Sequence, residues 1–278
     1  MEINILEKTP LTLKLYVKNI PLHILNAIRR VMISEVPTMA VDTVVFTLNT
    51  SVFYDEIIAH RLGLIPLTSE YALDKYKSPE ECRGGEETIF SEECFVKLDL
   101  EAENKNNTPL TIYSRDLVSS DPDVRPVYES IPILVLGPGQ KIRLEAYARL
   151  GRGKEHAKWS PVSVAAHKYV PDIKIDYDKC EKGCRTCIDV CPKGIFKLSR
   201  NKLTLNKDKI LECTFCKLCE SQCPKGAITV GFRENEYILT IESTGSLPPK
   251  KILLEAIRIL DSKLDDFLEQ LRREGVIQ

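Results

Sequence analysis

The sequence predicts an α+β fold of roughly two or three folded units, and three observations support this class. Runs of alternating apolar and polar residues, typical of strands, fill residues 94–148 and are separated by Asn, Pro and Gly. Apolar residues at helical spacing follow Pro21 and again Pro249. Eight of the ten cysteines lie between Cys180 and Cys223, which sets that segment apart from the rest of the 278 residues.

The composition is that of a globular protein, with 43% apolar and 28% charged residues. A net charge of −1 provides no overall field to attract nucleic acid, so we expect no direct contact with DNA or RNA. The N-terminal residues MEINILEKTP lack the basic and apolar regions of a signal peptide, and no stretch approaches the ~20 apolar residues of a membrane span. We therefore expect a cytoplasmic protein that does not contact a membrane.

The first half of the chain begins with LTLKLYVKNI, whose alternation predicts a strand, and Pro21 then introduces a helix. Four apolar residues share one face of that helix: Ile24, Leu25, Ile28 and Met32. Pro37 ends the helix, residues 41–48 form a β-branched strand, and a second, short helix spans residues 55–62. The polar and acidic segment 69–94 predicts a loop.

A long helix near the end of the chain carries more apolar surface than its own sheet requires. It follows the strand-like YILTIES and the breaker Gly245, and over residues 249–274 it would be ~39 Å long. Six apolar residues alternate steps of four and three and form a heptad seam: Leu253, Ile257, Leu260, Leu264, Phe267 and Leu271. Ile252, Ile259 and Leu268 lie off this seam and widen the apolar surface. One face would cover the helix's own sheet, so we infer that the remainder binds a partner helix.

The cysteine segment is an internal repeat. Its first copy, CEKGCRTCIDVCPKGIF, begins at Cys180, and its second, CTFCKLCESQCPKGAIT, reads C-x2-C-x2-C-x3-C-P, the spacing of bacterial ferredoxins. Three thiolates at short spacing wrap one iron-sulfur cubane, and the fourth, ahead of a proline, binds the other cluster. The repeat therefore predicts two [4Fe-4S] sites with crosswise ligands. These are Cys191, Cys213, Cys216 and Cys219 at one site, and Cys180, Cys184, Cys187 and Cys223 at the other.

The two predicted sites differ, because three residues separate Cys180 from Cys184 where the pattern has two. The site with this irregular loop is left with three alternatives: a [3Fe-4S] cluster, a four-iron cluster on a distorted loop, or no cluster. Structural zinc is the main alternative for the whole segment, but zinc ligands usually come as two pairs separated by a longer spacer. The C-x3-C-x2-C at Cys180 also fits radical enzymes that cleave S-adenosylmethionine, whose barrel needs more than the 91 residues that follow Cys187.

The clusters have no visible redox partner within the chain, because no G-x-G-x-x-G fingerprint of a flavin or nicotinamide site occurs. Residues 180–226 carry ten basic and five acidic residues, whereas residues 80–104 carry two basic and nine acidic ones. We favour a structural or redox-sensing role for the clusters. The competing hypothesis is a ferredoxin-type electron carrier fused to an unrelated β domain.

Three stretches outside the cysteine segment carry a family resemblance: NAIRRVMISEVPTMAVDTVVFTLNTSVFYDEIIAHRLGLIPL (26–67), GKEHAKWSPV (153–162) and IESTGSLPPKKILLEA (241–256). They resemble the RNA polymerase subunit family that contains the bacterial alpha subunit, the third-largest subunit of eukaryotic polymerase II and their archaeal counterpart. Together with the cysteine segment they extend the likeness from end to end. The ferredoxin-like insert is similar to the archaeal branch of that family.

The resemblance implies a split dimerisation domain, a sheet plus long helices, assembled from residues 1–39 and 227–278. A mainly antiparallel β domain (40–169) and a small ferredoxin-like α+β domain (170–226) would be inserted between its halves. The family further implies that the seam helix pairs with the smaller subunit L. Subunits N and P would dock on the same platform, and the two large catalytic subunits would assemble on it.

The resemblance also implies roles for individual residues. Arg29 and Arg30 become candidate contacts to the second-largest subunit, although on sequence alone paired arginines are more often a solvated helix face. His156, Lys158 and Trp159 match a family loop, although a lone Trp is usually a core residue.

The polymerase II relative carries a zinc-binding loop where Cys82 and Cys94 lie in this chain. Two thiols cannot complete tetrahedral zinc, so we predict no zinc at this place. A disulfide between them is not expected in a reducing compartment.

The chain is predicted to be a non-catalytic component of DNA-directed RNA polymerase. Nucleotidyl transfer needs closely spaced carboxylates that hold two Mg²⁺ ions, and the sequence has no D-x-D-x-D cluster. Asp265 and Asp266 are adjacent on the long helix, where neighbouring side chains point in different directions. We therefore expect no catalytic residues here and assign catalysis to the partners.

Overall fold

The computed structural model describes residues 1–82 and 91–277 and confirms the α+β class. Its strands and helices follow one another as β1 (Glu2–Lys8), β2 (Thr12–Lys18), α1 (Leu22–Ser34), β3 (Pro37–Asn49), α2 (Asp55–Gly63), α3 (Ala72–Lys75), β4 (Phe95–Glu103), β5 (Leu110–Tyr113), β6 (Val118–Ser119), β7 (Pro132–Leu136), β8 (Lys141–Arg152), β9 (Val162–Ile175), α4 (Thr186–Asp189), β10 (Phe196–Ser199), β11 (Lys202–Leu205), α5 (Leu218–Ser221), β12 (Ile228–Ser243) and α6 (Pro249–Arg273).

The chain forms two compact units. The first unit comprises Met1–Ile5, Leu15–Leu22 and His167–Leu239, and the second comprises Leu6–Lys14, His23–Ala166 and the residues from Thr240 onward. The strand orders in the sheets are β1-β2-β12-β9, β3-β8-β4-β6, β5-β7 and β10-β11. No helix in the described residues is long and apolar enough to cross a membrane.

The core of the second unit lies under the sheet β3-β8-β4-β6. Strand β4 buries every second residue, as its alternating sequence predicts, and antiparallel pairing sets Leu98 opposite Ala146 of β8. Helix α2 places Ile58 and Leu62 on the same core, and both side chains are fully buried. This helix lies where the sequence predicted it.

Helix α1 ends at Ser34, before Pro37, as the sequence predicted for a residue without a backbone N–H. Strand β3 begins at Pro37 and is longer than the predicted strand 41–48. Leu25 and Met32 of the predicted apolar face are buried, but Ile24 is exposed, so the buried stripe is narrower than the sequence indicated. The predicted loop 69–94 contains the short helix α3, and part of it lies outside the described residues.

The first unit contains the cysteine repeat, and each copy supplies one short helix, α4 or α5. The hairpin β10-β11 separates the two copies, with Phe196 opposite Leu205. The core of this unit combines aliphatic side chains with thiols: Ile173, Cys187, Ile195, Phe196, Leu203, Cys213, Cys219, Ile228 and Val230. The cysteines are therefore part of the packing of this unit.

Candidate functional site

Two short helices present the third cysteine of each run to the core of the first unit. Cys187 lies in α4 and Cys219 lies in α5, and both side chains are buried. The cysteine loop of the second copy leads into α5 through Phe215 and Lys217, whose φ angles of 57° and 56° lie in the left-handed region. These two strained residues turn the backbone sharply enough for three nearby cysteines to face one centre.

The first loop absorbs its extra residue at Gly183, whose φ of +78° requires the freedom of glycine. In spite of the irregular spacing, Cys180 lies beside the cysteines that are predicted to bind the same cluster. A cavity with about 370 Å³ of space, partly open to solvent, is lined by Cys180, Cys184, Cys187 and Cys223.

A second cavity, of about 350 Å³, is lined by the four remaining thiols of the repeat: Cys191, Cys213, Cys216 and Cys219. Each cavity thus takes three cysteines from one run and the fourth from the other. This is the grouping that crosswise ligation requires, while the assignment of the eight residues as ligands stays a prediction.

The lining of both cavities suits an iron-sulfur cluster. Apolar residues contribute to the walls, with Leu203, Ala227 and Ile228 at the first cavity, alongside charged residues such as Lys179 and Glu181. Within residues 1–82 and 91–277 no three Cys, His, Asp or Glu side chains converge as ligands of a single ion do. The thiols instead surround a space, and soft thiolates in an apolar pocket are the donors that iron-sulfur clusters use.

Burial makes the free thiolates unfavourable. Desolvation, together with the neighbouring cysteines of each set, raises the pKa of Cys187 and of Cys219 to about 11 each. Desolvation also raises the pKa of Cys180. The thiols therefore need a positive metal centre to hold them deprotonated, which couples cluster binding to the packing of this unit.

Hydrogen bonds orient the ligand loops around the cavities. The backbone N–H of Ala227 donates to Sγ of Cys223 at 3.2 Å, and Sγ of Cys184 lies 3.5 Å from the hydroxyl of Thr186. Such contacts to ligand atoms fix their orientation. The ammonium of Lys168 donates to the carbonyls of Leu211 and Cys213 at 2.7 and 3.1 Å, which holds the start of the second loop.

Cys82 and Cys94 form a disulfide, with Cα atoms 5.7 Å apart, so the expectation of unpaired thiols is wrong for this structure. Backbone hydrogen bonds bring the two residues together: Lys77 N–H donates to the carbonyl of Glu93, and Cys82 N–H donates to that of Ser78. Thiols joined in a disulfide are not thiolate ligands. The absence of zinc at this place stays a prediction.

Helix α6 has one buried edge and one exposed apolar face. Ile252 and Ala256 are fully buried, and neither belongs to the heptad seam. Three seam residues are exposed, Ile257 by 44%, Leu264 by 56% and Phe267 by 58%. The other three, Leu253, Leu260 and Leu271, are half-buried. The seam is therefore only partly covered within the second unit, and its exposed residues are available to another chain.

Two surface ion pairs without any local sequence signal join α6 to distant segments of the chain. Lys263 of α6 pairs with Glu35, which directly follows α1. Lys251, near the start of α6, lies 3.8 Å from the carboxylate of Asp74. Contacts of this kind join residues far apart in the chain, so no local pattern reveals them.

The two candidate arginines of α1 differ. The guanidinium of Arg29 donates twice to Oδ1 of Asn26, at 3.1 and 2.9 Å, and is half-buried. Arg30 is exposed. Arg30 is therefore the one of the pair whose side chain lies in solvent, and a partner-binding role for either residue stays a prediction.

The residues of the second family stretch (153–162) make their contacts within the β domain. Trp159 is buried between the cations of Arg149 and Lys158, which lie 4.4 and 4.2 Å from its ring. Lys158 also donates to the carboxylate of Asp42 at 2.7 Å, and Nδ1 of His156 accepts from the backbone N–H of Lys158. The core interpretation of the Trp is therefore confirmed.

Two family models match separate parts of the chain. Residues 22–171 match the family model described as the RNA polymerase Rpb3/RpoA insert domain, and residues 179–228 match a 4Fe-4S dicluster domain. The chain therefore carries an iron-sulfur cluster domain between its second and third family stretches.

Curated relatives match over nearly the full length. The DNA-directed RNA polymerase subunit Rpo3 of Aeropyrum pernix is 40% identical over 277 residues, which cover 99% of this chain and 96% of the relative. The Rpo3 of Pyrobaculum arsenaticum is 41% identical over 276 residues, covering 98% and 97%. The Rpo3 of Methanosarcina mazei is 38% identical over 270 residues, covering 96% and 97%.

Proposed function

Because this chain belongs to the family of the archaeal DNA-directed RNA polymerase subunit Rpo3, we propose that it is a non-catalytic subunit on which that enzyme assembles. The match over residues 22–171 includes the β domain, so the competing hypothesis of an electron carrier fused to an unrelated β domain is wrong on that point. A subunit of this kind contributes binding surfaces to transcription and leaves nucleotidyl transfer to the large subunits.

The observation that carries this proposal is the exposed part of the α6 seam. Leu264 and Phe267 are more than half exposed in a helix of 25 residues. Apolar residues at heptad spacing are the pattern with which helices pack against one another. We propose that the smaller subunit L supplies that helix, with residues 1–39 and 227–278 as the dimerisation domain.

The other partners follow from the same proposal. The two large subunits would assemble on the resulting heterodimer, with Arg30 exposed towards the second-largest one, and subunits N and P would dock on the same platform. The inserted β domain is proposed to span residues 40–169 and the ferredoxin-like domain residues 170–226.

We propose that each of the two thiol-lined cavities holds a [4Fe-4S] cluster. Four thiols line each cavity, which supports four-iron clusters at both and leaves a [3Fe-4S] centre as an outcome to be tested at the irregular site. Because three of these cysteines belong to the buried core of the first unit, a structural role is favoured. Iron and sulfide analysis with electron paramagnetic resonance on anaerobically purified protein distinguishes the cluster types.

Co-expression with subunit L tests the assembly function. The expected result is a heterodimer that elutes as one species and assembles further with the large subunits. A well-folded chain that stays monomeric beside subunit L would contradict the proposal.

A further inference from the structure

A cationic groove opens beside the first metal cavity, within the first unit. It encloses about 970 Å³ of space open to solvent, and its walls include Tyr177, Lys182, Arg200, Asn201 and Lys202. Cys180, Glu181 and Leu203 line both the groove and the cavity. The two spaces therefore share three wall residues, one of which is a candidate cluster ligand.

Some basic residues of the first unit pair with carboxylates, and others, including the three that line the groove, do not in the described part of the chain. Lys179 and Lys217 pair with Asp176 and Glu220. By contrast, Lys182, Arg200 and Lys202 form no ion pair with a carboxylate in the part of the chain that the structure describes. Glu181 contributes one negative charge to the lining, which leaves an excess of positive charge in a short groove.

The backbone holds one of these cations at a conformational cost. Arg200 and Asn201 close the two-residue turn of the hairpin β10-β11, with φ angles of 50° and 56°. A turn with both residues left-handed favours Asn and Gly, and Arg adopts it reluctantly. Because arginine is unfavourable at this backbone position, we infer that its guanidinium has a role in the groove.

One contact joins the groove to the irregular cysteine loop, and a second joins two residues of its walls. The backbone N–H of Gly183, which lies within that loop, donates to the carbonyl of Asn201 at 3.4 Å. The ammonium of Lys202 lies 4.1 Å from the centre of the Tyr177 ring, a cation–π contact that limits its motion. The groove is thus a defined arrangement of turn, loop and strand.

We propose that this groove binds a compact, multiply charged phosphate anion of the oligophosphate class. A guanidinium binds phosphate oxygens in pairs, and ammonium groups add point charges to the same ligand. The hydroxyl of Tyr177 and the side-chain amide of Asn201 supply neutral donors on the same walls. Three cations in a short groove suit the closely spaced negative charges of an oligophosphate better than the widely spaced carboxylates of an acidic peptide. The proposal does not depend on polymerase assembly.

Calorimetric titration of the full-length, cluster-loaded chain with inorganic tripolyphosphate tests the proposal. We expect saturable binding of one tripolyphosphate per chain, weakened by added salt because charge pairs carry it. In Arg200→Asn the turn gains a residue that favours its backbone while the guanidinium is lost, so binding should weaken by about tenfold or more without loss of stability. Lys182→Gln should weaken it similarly.

A double variant, Lys197→Gln with Lys207→Gln, is the matched control, because both lysines are exposed in the same domain and neither lines the groove. It should bind tripolyphosphate as the unsubstituted chain does. Three results would each overturn the proposal: no binding at millimolar tripolyphosphate, an equal loss in the control, or equal binding of hexaglutamate. None of these results bears on pairing with subunit L, so failure of the groove and failure of the assembly function are distinguishable.

Discussion

Trp159 lies directly against Gly151, so that a Cβ atom at position 151 would come within 2.3 Å of its indole ring. The indole N–H donates to the carbonyl of Arg149 at 3.3 Å, which holds the ring over the end of strand β8. A strand residue without a side chain is therefore what allows the loop 153–162 to fold back on the β domain.

Gly151→Ala should destabilise the β domain, because the added methyl group cannot be accommodated without moving a buried ring. We expect a loss of about 1–3 kcal/mol in the free energy of unfolding, measured by urea denaturation. Gly231→Ala is the control, since its Cβ would lie at an ordinary 3.6 Å from the nearest neighbouring atom, the carbonyl oxygen of Asp172. Equal destabilisation by both substitutions would contradict the packing argument.

Asp42 should make the β domain sensitive to acid. Burial alone would raise the pKa of Asp42, but hydrogen bonds from Lys158 and Arg149 outweigh it and hold the pKa below its usual value. A lowered folded-state pKa gives stability that is present above the unfolded pKa of about 3.9 and is lost as the pH falls through the folded value. Asp42→Asn should therefore cost most stability at neutral pH, and the difference from the unsubstituted chain should shrink below about pH 4. A difference that is independent of pH in urea denaturation would contradict this assignment.

Loss of one cysteine should remove one cluster and leave the other. For Cys219→Ser, which lines the second cavity, we expect iron to fall from about eight to about four atoms per chain. Cys184→Ser should give the same loss at the first cavity. Cys82→Ser is the control and should leave iron unchanged, because Cys82 lines neither cavity. Loss of all iron in either variant would show that the two clusters do not form independently.

The double substitution Leu264→Glu with Phe267→Glu should prevent heterodimer formation with subunit L. Both side chains are exposed in the free chain, so the charges are tolerated there, but burying them unpaired in an interface would cost several kcal/mol. Val118→Glu is the control, because this valine is an equally exposed apolar residue on β6, away from the helix. An unchanged elution profile of the double variant beside subunit L would count against the seam.

Removal of the disulfide by Cys82→Ser with Cys94→Ser should lower the stability of the oxidised protein. A bridge across 12 residues restricts the unfolded chain, and a loop of this length is worth about 3 kcal/mol. The difference from the unsubstituted chain should disappear in the presence of dithiothreitol. Alkylation of both thiols in the denatured but unreduced protein would show that the bridge does not form in solution.

Features set by short-range spacing could be predicted from the sequence. The heptad seam of α6, the helix 55–62 and the cysteine runs depend on residues a few positions apart, and the structure has the helices at those places. The α+β class followed from the same local periodicities. Cys180 lines its predicted cavity in spite of the irregular spacing, because a single glycine absorbs the extra residue.

Features that depend on contacts between distant segments could not be predicted in this way. The disulfide between Cys82 and Cys94 depends on the backbone hydrogen bond between Lys77 and Glu93, which are far apart in the chain. The exposure of Ile24 depends on which distant residues pack against α1. The left-handed turn at Arg200 has no local signal, because Arg-Asn is not a pair that favours that turn.

If subunit L covers the exposed face of α6 as proposed, the subunit depends on balanced synthesis of the two chains. A copy produced in excess of its partner subunit exposes Leu264 and Phe267 to solvent in the cell. Chaperones and proteases recognise exposed apolar surface of this kind. Orphan molecules should therefore have a short half-life, and stoichiometry would be enforced after translation by the same residues that join the pair. Pulse-chase labelling of the chain with and without subunit L measures this directly.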